Sequence, residues 1–354
     1  MKVAIYSPYL DTLGGGERYI LTIAEVLSKT GSVDLLFDDH LFLMGAADLK
    51  DKSAARFDLD LSKVQLVKAP IGKGSNPLNR AIFLKKYDVL FYLTDGSIFY
   101  PTAKKNILHI QSPLVGQPAK STWGRLKLKG WDLIIYNSNF TRKNSENNWP
   151  IKSEVIYPPV DIEKIKPLKK QKYILSVGRF SSSKKHEVMI KVFSDLYREK
   201  KLENWSFHLV GSASKGDISY IKALKKTVAG LPIKFYPNLD YDKLIRLYGE
   251  SSIYWHAAGY NEVDPTKMEH FGISTVEAMA GGCVPLVIGT GGQLEIVEDK
   301  KSGFIWNTLD QLKQYTVQLS IDHKLLKDIS FESKKRAKNY SKETFTDRIQ
   351  AAIL

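Results

Sequence analysis

Tyr173-Ile174-Leu175-Ser176-Val177-Gly178-Arg179-Phe180-Ser181-Ser182-Ser183-Lys184-Lys185-His186 carries the pattern from which the rest of the chain is read. Residues 173–177 are a short apolar run that stops at a glycine, as a buried parallel strand does. The Ser- and Lys-rich turn leads into a helix with Val188, Met189, Val192, Phe193 and Leu196 along one stripe. Strand, turn and helix in that order make one βα unit. Downstream the alternation continues, with strands expected at 207–210, 233–236, 253–256 and 284–288. Upstream it recurs at 3–6, 33–37, 64–67, 89–93, 107–110 and 133–136. A helix is predicted over 18–29, where Tyr19, Ile20, Ile23, Ala24 and Leu27 form the apolar face. The fold class is therefore α/β, with doubly wound parallel sheets.

A chain of 354 residues exceeds one domain of ~150 residues. The alternation breaks at Tyr157-Pro158-Pro159-Val160, and residues 164–172 are charged and Pro-containing, as a linker is. This predicts a Rossmann-like domain over 1–165, a second over 166–335, and a terminal helix over 336–354 packing back on the first. Ligands of open α/β sheets bind outside the carboxyl ends of the strands, so an interdomain cleft is expected.

Composition excludes several classes. The single cysteine, Cys283, removes a disulfide framework and any Cys-based zinc cluster. No apolar run approaches the ~20 residues of a membrane span. Met1-Lys2-Val3-Ala4-Ile5-Tyr6 starts a strand and does not resemble a signal peptide, so a cytoplasmic protein is expected. The formal net charge is +14, from 52 Lys and Arg against 38 Asp and Glu. Nucleic acid, anionic membranes and phosphorylated ligands all suit that balance. No helix-turn-helix, zinc or aromatic RNA-binding pattern supports nucleic acid. The stretch from Lys120 to Trp131 interleaves Lys120, Arg125, Lys127 and Lys129 with Trp123, Leu126, Leu128 and Trp131. It reads either as an interfacial membrane segment or as an amphipathic helix with its Trp residues inward.

Three places carry candidate chemistry. Gly14-Gly15-Gly16 precedes a helix and reads either as a flexible turn or as a close-approach phosphate site. Arg179 and Lys184 flank a helix start where cations oppose the helix dipole, so a bound anion such as a diphosphate would relieve the conflict. The segment Glu269-His270-Phe271-Gly272-Ile273-Ser274-Thr275-Val276-Glu277 sets two carboxylates around a Phe-Gly turn and a helix start. Carboxylates there are acceptors for sugar or ribose hydroxyls, and the helix amides between them suit phosphate or sugar oxygens.

The Glu-x7-Glu segment has neighbours that match in order. They are the early Gly-Gly, Gly178-Arg179 with Lys184, Tyr136-Asn137-Ser138-Asn139-Phe140-Thr141, and Val155-Ile156-Tyr157-Pro158-Pro159-Val160-Asp161. Ala278-Met279-Ala280-Gly281-Gly282-Cys283-Val284-Pro285 and Ile296-Val297 before Gly303-Phe304 complete the set. Together they resemble the retaining nucleotide-sugar glycosyltransferases of family 4, which have the GT-B fold. The resemblance implies that Gly15 and Gly16 present amides to the donor diphosphate, and that Arg179 and Lys184 neutralise it as it leaves. It implies Glu269 for the donor-sugar hydroxyls, with the amides of Phe271, Gly272 and Ile273 beside it, and Glu277 for the ribose. His109 matches a histidine near the sugar.

The same resemblance implies a hexosyltransferase that needs no metal or other cofactor. An Asp-x-Asp at Asp58-Leu59-Asp60 lies in a polar early segment apart from the donor motifs. Departures are visible as well. Lys185 stands where the family usually has Gly, so its charge is expected to be dispensable. His256-Ala257-Ala258 replaces the common Pro-Ser, and the loop 259–268 is long. Such a loop before Glu-His-Phe-Gly is similar to mannosyltransferases that elongate lipid-linked oligosaccharides. GDP-mannose is thus the favoured donor and UDP-sugars come second. The expected acceptor is a glycan or lipid-linked molecule in polysaccharide or glycolipid synthesis, with peripheral contact to an anionic cytoplasmic membrane face. The alternatives are a soluble synthase of a small disaccharide and a nucleotide-regulated nucleic-acid-binding protein.

Overall fold

A computed structural model describes residues 1–12, 14–114 and 121–353. The chain divides into two units, Met1–Pro159 with a return from Phe345 onward, and Val160–Thr344.

In the first unit, seven strands run β1 (Lys2–Tyr6), β2 (Ser32–Phe37), β3 (Val64–Lys68), β4 (Val89–Leu93), β5 (Lys105–Ile110), β6 (Leu133–Tyr136) and β7 (Ser153–Val155). They form one sheet ordered β3-β2-β1-β4-β5-β6-β7, parallel at every pairing. Residues of β1 alternate between two cores: Val3 and Ile5 join one apolar cluster, Ala4 and Tyr6 the other. Burial on both faces explains why these strands read as continuous apolar runs.

The second unit repeats the plan with β8 (Gln171–Val177), β9 (Ser206–Gly211), β10 (Ile233–Pro237), β11 (Ser251–His256), β12 (Val284–Ile288) and β13 (Phe304–Trp306). Their order is β10-β9-β8-β11-β12-β13, again all parallel. Each sheet reverses its strand order once, between β1 and β4 and between β8 and β11. Ligands of such sheets bind at that switch point.

The sequence reading omitted β7 and β13. Both are three-residue edge strands, too short for periodicity to register, and β7 is only half-buried. It also started the first helix late, for the helix spans Gly15–Ser28. Glu17 explains the difference, because its carboxylate accepts the Gly14 amide at 2.8 Å and caps the first turn.

The charged tail is two helices, His323–Ala337 and Lys342–Ile353, separated by a 3-10 turn at Lys338–Tyr340. Phe345, Ile349 and Ala352 of the second enter the first unit's core, where Phe345 meets the Tyr19 ring edge-on at 4.9 Å. No helix among the described residues is long and apolar enough to cross a membrane.

Candidate functional site

The parallel strands β8 and β11 are neighbours, so their exits lie at the same edge of the sheet. The loop after β8 is fixed at its base: the amides of Gly178 and Phe180 donate to the carbonyls of Val210 and Ser212, both at 2.9 Å. Gly211 abuts the Gly178 carbonyl so closely that any Cβ would overlap it. Phe180 is buried, and Arg179 beside it is exposed with no ion pair among the described residues. A 3-10 turn, Ser182–Lys184, carries Lys184 back over the strand end, and its aliphatic stem lies against Gly178.

The loop after β11 turns at Gly259, bonds Glu262 N to Gly259 O at 3.1 Å, and is capped again by Asp264 at Pro265–Lys267. It brings Glu269 to the same place. Glu269 Oε2 accepts from Lys184 Nζ at 2.6 Å and from His256 Nε2 at 3.2 Å. Burial pushes the Glu269 carboxyl up, but the Lys184 charge and the His256 hydrogen bond together outweigh it. They hold the group well below the usual carboxylate range. Burial pushes the His256 imidazole down, so the ring is neutral. A second bridge runs parallel to the first: Lys185 Nζ donates to Glu262 Oε1 at 2.6 Å.

Helix Ile273–Ala280 follows directly, and the amides of Thr275 and Val276 donate to the Gly272 carbonyl at 3.0 and 3.3 Å. Gly272, at φ +122°, makes the entry, and a Cβ there would overlap Gln293. Gln293 ties the helix start down, donating to Phe271 O at 3.4 Å and accepting from Thr275 Oγ1 at 2.9 Å. Glu277 is buried in the next turn, and its Oε2 accepts from Tyr248 OH at 2.9 Å. Tyr248 belongs to a junction pinned by Lys170, whose Nζ donates to the carbonyls of Gly281 at 2.6 Å, Ser251 at 2.7 Å and Tyr248 at 3.4 Å. In sequence Lys170 reads as a linker lysine. In the structure it satisfies carbonyls at the ends of two helices.

In the first unit, Gly15 opens the helix after β1 and is exposed. Gly16 is buried, and a Cβ there would press on Leu93 and Gln111 at 3.1 Å. His109, in β5, is fully buried and stacks on Tyr19 at 3.9 Å and 15°. Its Nδ1 faces the Ile135 carbonyl at 3.0 Å and its Nε2 faces Gln111 Oε1 at 3.2 Å, so the one proton of a neutral ring serves one of these two acceptors. Burial pushes this ring down to about 4.

Lys184 and Glu269 are thus directly paired. Arg179, Phe271, Gly272, Ile273 and Glu277 sit on the elements flanking that pair, and Gly15, Gly16 and His109 belong to the other unit. The sequence reading assigned no role to His256, Gln293, Tyr248 or Glu262. His256 had a legible signal, being the last residue of a strand at the switch point.

The stretch from Lys120 to Trp131 divides between its two readings, with Lys120 outside the described residues. Helix Thr122–Leu128 leaves Trp123 74% exposed and Leu126 46% exposed. Leu128 and Trp131 point inward, and Trp131 Nε1 donates to Phe99 O at 3.0 Å.

Residues 159–342 match the family described as "Glycosyl transferases group 1". A GDP-Man:Man(3)GlcNAc(2)-PP-Dol alpha-1,2-mannosyltransferase of Xenopus tropicalis is 26% identical over 391 aligned residues, covering 87% of this chain and 77% of that protein. The enzyme of the same name from Candida glabrata is 27% identical, covering 82% and 69%. A solved glycosyltransferase from Rickettsia africae superimposes with TM-score 0.76 at 20% identity, covering 99% of this chain and 97% of that one. Anabaena HepE, solved in complex with UDP and glucose, gives 0.69 at 16%, covering 100% and 99%. These likenesses fit the two parallel sheets, which have the GT-B architecture expected from the motifs. Since the matched region exceeds half of the 354 residues, the chain belongs to the group 1 glycosyltransferases and is a glycosyl-transferring enzyme.

Proposed function

We propose that the chain transfers mannose from GDP-mannose to a lipid-linked oligosaccharide, with retention at the anomeric carbon and without a metal ion. The observation that carries this reading is the Lys184–Glu269–His256 cluster at the switch point of the second sheet. It sets an ionised hydroxyl acceptor beside a cation, the pair that a sugar diphosphate needs. The names of the relatives, with their GDP-Man donor and PP-Dol acceptor, support the choice of sugar and acceptor.

In this scheme Glu269 accepts hydroxyls of the donor sugar, beside the amides of Phe271, Gly272 and Ile273. Glu277 holds the ribose, and Gly15 and Gly16 offer amides to the diphosphate. The bond from the anomeric carbon to the phosphate oxygen breaks, and the acceptor oxygen bonds to that carbon from the same face. The acceptor proton passes to the departing phosphate, so no separate base is required. Arg179 and Lys184 stabilise the charge that develops on the diphosphate. His109, neutral and buried, acts near the donor sugar. Trp123 and Leu126, flanked by exposed Arg125 and Lys129, suit peripheral contact with an anionic cytoplasmic membrane face.

The test offers the purified protein GDP-mannose, UDP-glucose or UDP-N-acetylglucosamine with a lipid-linked oligosaccharide in anionic vesicles, and in parallel with free sugars. Product is expected from GDP-mannose and the lipid-linked acceptor, and it persists in excess EDTA. Transfer to free sugars at the same rate would favour a small-disaccharide synthase. Loss of turnover in EDTA, restored by Mn²⁺, would end the metal-free mechanism.

A further inference from the structure

The two hydrogen bonds that Glu269 accepts fall on one oxygen. Oε2 takes both Lys184 Nζ and His256 Nε2, whereas Oε1 accepts none from the described chain and is not sealed from solvent. A carboxylate held by one oxygen presents the other in a fixed direction, as a hydroxyl acceptor should.

The two donors differ in what else they can do. Lys184 is a half-exposed ammonium on a surface turn with three N–H donors, so an arriving diphosphate competes for it directly. His256 has no such competition. It ends β11, is 4% exposed, and its Nδ1 is buried with no hydrogen-bond partner. With nothing to receive a proton's hydrogen bond at Nδ1, the ring carries its single N–H on Nε2, facing the carboxylate. This is the position where the chain departs from the usual Pro-Ser and has His256-Ala257-Ala258.

We propose that His256 is the positioning residue of Glu269, keeping Oε1 aimed at the donor sugar while Lys184 turns to the leaving diphosphate. The proposal rests on the reading of Glu269 as the residue that holds that sugar. A neutral donor suits the task, because it fixes the carboxylate without cancelling its charge. The residue touches no reacting atom and acts only through Glu269.

The test compares wild type with His256→Leu, His256→Gln and Glu269→Ala for turnover with GDP-mannose, affinity for free GDP and melting temperature. His256→Leu is expected to lower turnover about 10²-fold, the scale of a misplaced reacting group, with GDP affinity unchanged. His256→Gln keeps an N–H at similar reach and is expected to recover most of the lost rate. If Glu269→Ala leaves transfer intact, the reading of Glu269 itself fails. If Glu269→Ala abolishes transfer while His256→Leu does not, that reading stands and the positioning role alone is overturned. The role is also overturned if His256→Leu and His256→Gln lose turnover, GDP affinity and melting temperature together, since that pattern marks a purely structural histidine.

Discussion

Lys184 Nζ lies 2.6 Å from Glu269 Oε2, joining the exit of β8 to the exit of β11 across the switch point of the second sheet. Burial alone would raise the Glu269 carboxyl, and the Lys184 charge is the largest influence lowering it. Replacing Lys184 by Met removes that influence and leaves only the weaker His256 bond against burial. The carboxyl then titrates at higher pH, so the acid limb of kcat/KM moves upward. The rate at neutral pH also drops roughly 10²–10³-fold, because a donor to the leaving group is gone. A pH profile of Lys184→Met against wild type reads both effects. An unmoved acid limb would mean that Lys184 does not set the ionisation of Glu269.

The two carboxylates separate by role. Glu269→Ala is expected to abolish transfer while the affinity for GDP stays within a few-fold of wild type, as befits a group assigned to the sugar alone. Glu277→Ala is expected to weaken GDP itself, and it strands the buried hydroxyl of Tyr248 as well. Calorimetric titration of both variants with GDP distinguishes them. The reverse ranking of affinities would exchange the two assignments.

Lys185 gives a prediction whose sign is set by its backbone. The residue sits at φ +56°, where a side chain costs about 1–2 kcal/mol relative to glycine. Its ammonium is committed to Glu262 at 2.6 Å, a bridge near the surface that contributes little. Lys185→Gly loses the bridge but relieves the backbone, and Lys185→Ala loses the bridge with no relief. Melting temperatures should therefore rank Gly above Ala, with both turnovers far closer to wild type than that of Lys184→Ala. If Lys185→Ala proved as damaging to turnover as Lys184→Ala, the diphosphate would contact Lys185 instead.

Much of this arrangement was legible in the chain, and the reasons are physical. A strand buried on both faces must be apolar throughout, so β4, β6 and β12 could be read to their ends. An edge strand such as β7, with Ser153 and Glu154, has no such requirement and left no trace. Within the site, Lys184 and Glu269 were legible because charged residues at a strand exit have few structural reasons to be there. His256 could be read from its place at the end of a strand, but Tyr248 could not, because an aromatic on the apolar side of a helix has the composition of core. Lys170 was hidden by its surroundings: one half-buried lysine among Lys169, Gln171 and Lys172 differs from them only through carbonyls brought from distant segments.

Three histidines outside the charged cluster predict how the fold responds to acid. His109 in the first unit and His186 and His208 in the second are all buried, and burial pushes each down to about 4. In the unfolded chain the same rings titrate near ~6.5. Below that pH the unfolded state takes up protons that the folded state refuses, so stability falls as pH drops from ~6.5 toward 4. Above ~6.5 all three rings are neutral in both states, and they contribute no slope. The loss is about 1.4 kcal/mol per pH unit for each ring inside that window. Thermal melts from pH 8 to pH 5 should therefore be flat at first and then decline. His186 gives the internal control, since its Nε2 is buried without a partner and its ring stacks on Phe180 at 5.1 Å. His186→Phe keeps the stack and removes the titration, so the decline of the second unit should become shallower. Melting temperatures that hold steady between pH 6.5 and 5 would show that these rings titrate alike in the folded and unfolded chain.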